Sequence, residues 1–110
     1  MSHADVYAAV SPIVPVRHME WPIGHAPALP WAVYDGDDTP ICAGDKQVAV
    51  KHRWTVELYE KARNAELEKS LANALRDAFG SVYRDESWVE DEDMLQVRFT
   101  FYQIEGDFDG

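Results

Sequence analysis

The chain has 110 residues, a formal net charge of −10 and a single cysteine, Cys42. A chain of this length can bury one hydrophobic core without disulfides or metals, so we expect residues 1–110 to form a single domain. With 20 acidic residues against 10 basic ones, a free-standing nucleic-acid binder is disfavoured, because affinity for phosphates depends on positive charge. An internal disulfide is excluded, and we expect neither a signal peptide nor a bilayer-spanning segment.

The first part of the chain predicts short elements separated by prolines and glycines. Residues 2–10 predict a short helix, capped by Ser2 and ended by a Ser-Pro pair, and an extended piece follows at residues 14–21. Residues 31–34 are rich in β-formers and predict a short strand. The Asp, Gly and Pro residues that follow predict an exposed loop over residues 35–46, of the kind that is often ordered only by a partner.

A longer strand and an amphipathic helix come next. Between residues 48 and 59, apolar side chains and His52 alternate with polar ones, which predicts a strand with one buried face. Residues 64–79 predict a helix that begins at the N-cap Asn64 and stops at Gly80. Its predicted apolar stripe comprises Leu67, Leu71, Ala74, Leu75, Ala78 and Phe79.

The last part of the chain predicts a hairpin. Residues 82–89 and 94–104 read as two strands around an acidic turn at residues 90–93, and about residues 105–110 as a flexible acidic tail. Together the elements predict an α+β fold: a mixed or antiparallel four-stranded sheet with helices packed on one face.

Negative charge is concentrated in this hairpin, where six acids fall within nine residues. A solvated turn would explain them, and an acidic patch that faces basic groups of a partner is the alternative. Lys51 and Arg53, on the outward side of the long strand, are the candidate basic groups. The acidic patch of this hypothesis comprises Asp85, Glu86, Glu90, Asp91, Glu92 and Asp93.

The tryptophans suggest an interface. Trp54 falls on the apolar side of the long strand and is expected in the core. Trp21 and Trp31 are flanked by prolines and are expected at a surface, where tryptophan is typical of protein–protein contacts.

The chain offers little chemistry for catalysis or metal binding. Cys42 and His52 could form a thiol–imidazole pair, but Cys42 lies in a Pro/Gly-rich stretch without an orienting third group. Asp35, Asp37 and Asp38 lack the spacing and closing glutamate of a calcium loop. The histidines also lack metal-ligand spacing; they are His3, His18, His25 and His52. We therefore predict no catalytic, cofactor-binding or metal site.

Several short segments carry a family resemblance. They are P-W-A-V-Y at residues 30–34, V-E-L-Y at 56–59, E-L-E…L…A-L at 66–75 and Y…E-S-W…E-D…L-Q-V-R-F-T-F at 83–101. In order and spacing, over about residues 4–104, the chain resembles the tail-terminator proteins of long-tailed bacteriophages, which are also described as tail-completion or minor capsid proteins.

The resemblance implies a structural virion protein that forms a homo-hexameric ring at the head-proximal end of the tail. Such a ring ends tail-tube polymerisation and joins the tail to the head, so its partners are further copies, the tail-tube protein and a head-closure or connector protein. Six copies at −10 each give about −60, which suits a conduit through which DNA passes without being bound. No catalysis or cofactor is implied.

Ring closure requires two different patches on each subunit. The stretch over residues 21–34 and the outer face of the strand at 51–57 are the expected patches. The interface hypothesis comprises Trp21, Trp31, Tyr34, Lys51 and Arg53.

Other functions remain open. One alternative is another neck or head-closure subunit of the same phages, and a second is an acidic DNA mimic that inhibits a basic host protein. An enzyme is the weakest alternative, because no nucleophile–base pair or metal set is present in the sequence.

Overall fold

The computed structural model describes residues 3–21 and 26–106. Within these ranges the chain forms two helices, five strands and one 3₁₀ turn. They are α1 (His3–Val10), β1 (Val16–His18), β2 (Trp31–Ala43), β3 (Lys46–Glu60), α2 (Ala65–Phe79), β4 (Tyr83–Val89), the turn Glu90–Glu92 and β5 (Met94–Gly106). Residues 107–110, Ser2 and His25, on which predictions were made, lie outside the described residues.

The five strands form one mixed sheet in the order β1-β2-β3-β5-β4. β1 pairs parallel to β2, and all other neighbours are antiparallel. The predicted α+β class is confirmed, with five strands rather than four. The fifth arises because the extended piece pairs with β2: the Ala32 amide donates to the Pro15 carbonyl at 2.8 Å, and the Met19 amide donates to Tyr34 at 2.8 Å.

The predicted exposed loop at residues 35–46 is wrong, because β2 continues through it to Ala43 and a two-residue turn at Gly44 and Asp45 leads into β3. β1 pairs only as far as Tyr34, so none of the described strands pairs with the outer edge of the rest of β2. Pro40 is tolerated at such an edge, since an edge strand does not need every amide as a donor. The polar residues that indicated a loop are those of an exposed edge.

Both helices pack on one face of the sheet. The core brings Val6 and Val10 of α1 together with Leu71 and Leu75 of α2, over Val56, Leu58, Val97, Phe99 and Phe101 of the central strands. The caps of α2 are as predicted: the Asn64 side chain accepts a hydrogen bond from the Leu67 amide at 3.1 Å, and Gly80 adopts a φ of 90°.

The buried stripe of α2 differs from the predicted one. Glu68 and Ala72 are buried, whereas Ala78 is exposed. A carboxylate on the buried side requires cationic partners, and two arginines from other segments supply them.

Residues 105 and 106, which fall within the predicted flexible acidic tail, are part of the sheet. Glu105 and Gly106 belong to β5 and pair with Val50 and Ala49 of β3.

Candidate functional surfaces

The face of the sheet opposite the helices is a candidate surface. Among the described residues no helix covers it. We name it the open face, and strand alternation together with the register defines its residues. From β2 and β3 it contains the odd-numbered positions, Trp31 to Thr39 and Lys51 to Tyr59. From β5 it contains the even-numbered positions Gln96 to Ile104, and from β4 Tyr83, Asp85 and Ser87.

One end of the open face is aromatic. The ring of Trp31 lies between those of Trp21, at 6.2 Å between centroids, and Tyr59, at 4.8 Å. The Trp21 indole donates to the Ala32 carbonyl at 3.2 Å, which holds the segment after β1 against β2. Both tryptophans are half-buried, so they line a depression at this end of the sheet.

Tyr59 has a perturbed environment within this aromatic end. Its hydroxyl donates to Glu57 at 2.6 Å, and Gln96 donates to both groups. Burial, followed by the hydrogen bond to Glu57, raises the pKa of Tyr59 to about 12. The phenol therefore remains a neutral donor throughout the physiological pH range.

The centre of the open face is polar, and its basic groups contact residues of the same chain. Arg53 forms an ion pair with Asp37, and the Lys51 Nζ lies 4.4 Å from the centroid of the Tyr102 ring. Both basic residues are exposed. Exposed pairs of this kind contribute at most about 1 kcal/mol to stability, so neither prevents a contact with another subunit.

The residues of the hypothesised oligomer interface do not all lie together. Trp31, Lys51 and Arg53 share the open face, and Trp21 lies beside Trp31. Tyr34 instead points to the helix-covered face, where it is 7 % exposed and belongs to the hydrophobic core.

The acids of the hypothesised patch occupy three different settings. Asp85 lies on the open face opposite Arg98, whereas Glu86 forms an ion pair with Arg63. The remaining four form the tip of the β4–β5 hairpin, Glu90 to Asp93. We name these four residues the acidic tip. Lys51 and Arg53 lie near the middle of β3, opposite Ile104 and Tyr102, so they do not face the acidic tip of their own chain.

The structure also forms a cluster of charges around two buried glutamates, which was not predicted from the sequence. Glu60, 1 % exposed at the end of β3, lies beside Glu68, 5 % exposed in the first turn of α2. Arg63 and Arg84 both donate to the Oε1 of Glu68, and Arg63 also pairs with Glu86. We name these five residues the buried charge cluster after Glu60 and Glu68; Arg63, Arg84 and Glu86 are exposed at its rim. Extending the alternation of the long strand by one step, from Leu58 to Glu60, would have placed a glutamate on the apolar face and signalled the cluster.

The three aspartates of the DGDD segment contact three different basic groups. Asp35 lies 3.4 Å from the His18 Nε2, Asp37 pairs with Arg53, and Asp38 pairs with His52. They therefore do not converge on a common point. Within residues 3–21 and 26–106 no group of three or more His, Cys, Asp or Glu could hold a metal ion.

The two members of the hypothetical thiol–imidazole pair lie in β2 and β3. Cys42 is exposed. His52 contacts Asp38 through Nδ1 and Glu105 through Nε2, the latter at 3.3 Å. The hydrogen bond to Asp38 is the main reason why the pKa of His52 is raised. The carboxylates thus bind the imidazole as a structural link between three strands.

In the described part of the chain, neither α1 nor α2 has the length and apolar character that a membrane span requires.

Comparisons with known proteins bear on the fold. Neither protein-family models nor curated proteins give a match to this chain. Among solved structures, the chain is similar to a chain of the "Virion of native gene transfer agent (GTA) particle". The TM-score is 0.59 at 18 % sequence identity, and the match covers 96 % of this chain and 87 % of that chain. At this identity the likeness shows that the two chains share a fold over nearly their whole lengths.

Proposed function

We propose that the protein is a structural component of a virion. The observation that carries this proposal is the near-complete fold likeness to a chain in a gene transfer agent virion. The sequence resemblance to tail-terminator proteins, made from different features, points to the same class of particle. Fold alone does not specify function, so the surfaces of the molecule must supply the finer assignment.

Our finer proposal is that the protein ends tail-tube polymerisation as a ring at the head-proximal end of the tail, with six copies as the expected number. It would contact the tail-tube protein on one side and a head-closure or connector protein on the other. The net charge of −10 on each copy supports this role, because an acidic ring lets DNA pass without adhering to the wall.

Closure of such a ring requires each subunit to present two different surfaces. The acidic tip lies at one end of the sheet and the exposed pair Lys51 and Arg53 near the middle of β3, and the two surfaces have opposite charge. We propose that the acidic tip of one subunit faces Lys51 and Arg53 of the next. The half-buried rings of Trp21 and Trp31 would add apolar area to the contacts of the open face.

Light scattering and electron microscopy test this proposal. The purified protein should give a mass near six times 12.5 kDa, or form rings once tail tubes are added, and negative-stain images should show those rings capping one end of each tube. A protein that stays monomeric, caps no tubes and is missing from virions would contradict the proposal. Rings found at the head vertex instead would identify a head-closure subunit.

The DNA-mimic alternative is less well supported. A mimic presents a continuous acidic surface, whereas here Glu86 pairs with Arg63 and Asp85 lies opposite Arg98. Only the acidic tip remains as a local concentration of negative charge from this run. Strongly salt-dependent binding of the monomer to a basic nuclease or polymerase would favour the mimic.

A further inference from the structure

The buried charge cluster contains more acids than bases. Glu60, Glu68 and Glu86 meet two guanidinium groups, those of Arg63 and Arg84. Full ionisation would therefore leave one net negative charge among these five groups. Glu60 and Glu68 are at least 95 % buried, and an uncompensated buried charge is far more costly than an exposed one.

The hydrogen bonds within the cluster are unevenly distributed. The Oε1 of Glu68 accepts hydrogen bonds from both arginines. Its Oε2 and both carboxyl oxygens of Glu60 are buried and accept no well-formed hydrogen bond from the described residues. Because an ionised carboxylate can only accept hydrogen bonds, two ionised groups side by side cannot donate to each other, which leaves the Asn64 amide as the donor facing Glu60.

One added proton would remove the net negative charge of the cluster and supply a hydrogen-bond donor to its buried oxygens. A protonated Glu60 can donate its O–H to the Glu68 carboxylate beside it, which satisfies one oxygen of each group and brings the net charge of the cluster to zero. We propose that Glu60 and Glu68 form a shared-proton site, in which a proton from solvent joins the two carboxyl groups at the junction of β3, α2 and β4.

The surroundings of the site assign the proton to Glu60. Glu68 already accepts hydrogen bonds from both arginines on Oε1, so it is the acceptor to which Glu60 can donate. Glu60 faces Glu68 from α2 and the backbone amide of Asn64 from the connecting segment, while its neighbour on β5 is the uncharged Leu95. Burial, followed by the contact with Glu68, raises the pKa of Glu60 to about 7, although Asn64 and Arg63 favour the charged form.

The shared-proton site couples folding to pH, whichever function the protein has. A carboxyl group that is protonated when folded and ionised when unfolded stabilises the fold at low pH. This contribution is lost as pH rises from about 4.5 to about 7. Because Arg63, Arg84 and Glu86 connect the site to the β4–β5 hairpin, loss of the proton weakens the attachment of β4 to the N-terminal turn of α2.

The neutral variant Glu60→Gln tests the inference, with Glu66→Gln as the matched control. Both remove one negative charge, but Glu66 is exposed in the first turn of α2, the turn that carries Glu68. Urea unfolding of the wild type and each variant should be compared from pH 5 to pH 8. We expect the unfolding constant of the wild type, divided by that of Glu60→Gln, to rise with pH by up to about tenfold per unit and to level off above about pH 7. The ratio for Glu66→Gln should stay nearly constant.

A second measurement uses the wild type alone, in case Glu60→Gln does not fold. The side-chain carboxyl carbon of Glu60 can be followed by ¹³C NMR as pH is varied. Titration near neutral pH would support the shared-proton site. Titration of Glu60 near its ordinary value of 4.5, or identical pH profiles for Glu60→Gln and the wild type, would overturn it. Neither result depends on whether the protein forms a ring.

Discussion

Gly36 of β2 lies directly beneath the indole ring of Trp54 on β3. A Cβ added to Gly36 would be 2.7 Å from the Trp54 Cζ3, which is closer than two carbon atoms can approach without displacement. Trp54 is 5 % exposed, so its ring cannot move aside freely. The glycine that suggested a loop is therefore the residue that allows a large aromatic ring to pack flat on the sheet.

We predict that Gly36→Ala destabilises the protein by about 1–3 kcal/mol, because the added methyl group displaces the ring or bends the strand. Denaturant unfolding measures the change. A double-mutant cycle with Trp54→Leu provides the control: the cost of Gly36→Ala should become much smaller when the ring is absent. An equal cost in both backgrounds would mean that the indole is not the cause.

The N-cap of α2 provides a second prediction. Asn64→Ala removes the side-chain acceptor of the Leu67 amide and should cost about 1 kcal/mol. Asn64→Asp keeps an acceptor oxygen at this position and should retain most of the stability. Thermal unfolding of the three proteins checks the order, and an alanine variant as stable as the wild type would contradict the assigned cap.

The pairing of His52 with Asp38 and Glu105 predicts a pH dependence of stability that is separate from that of Glu60. The pKa of His52 is raised in the folded state, so the contribution of the charged imidazole to the stability of the fold is complete below the ordinary pKa of 6.5. This contribution is lost as pH rises through the raised pKa. His52→Gln should therefore lower the free energy of unfolding by about 1 kcal/mol or less at pH 5.5 and leave it almost unchanged at pH 9. Unfolding at the two pH values measures this difference, and an equal loss at both would refute the ionic origin.

Charge reversal on the open face tests the proposed contact between subunits. Arg53→Glu should weaken ring formation, because it would place a negative charge against the acidic tip of the next subunit. The loss of the surface pair with Asp37 should change monomer stability by only about 1 kcal/mol or less. Light scattering measures the assembly and thermal unfolding measures the monomer.

Arg17→Glu is the matched control for this experiment, since Arg17 is exposed on β1 and involves the same change in charge. It should leave assembly intact. Equal loss of assembly in both variants would indicate a general effect of net charge, and no loss in either would exclude Arg53 from the contact.

The sequence by itself determined the elements that local interactions define. The caps and most of the leucine spacing located α2 within one residue, because these signals depend on neighbours three or four positions apart. Alternating side chains identified β3, and the acidic turn between two β-rich segments identified the β4–β5 hairpin.

Only the tertiary structure decided where distant segments meet. Residues 35–43 became a strand because β3 supplies a ladder of hydrogen bonds, and pairing with a partner far along the chain overrides local turn signals. The buried charge cluster likewise joins residues from β3, the connecting segment, α2 and β4. Its members are ordinary charged residues in the sequence. Burial together in the folded chain is what turns two of these glutamates into a candidate site for a proton.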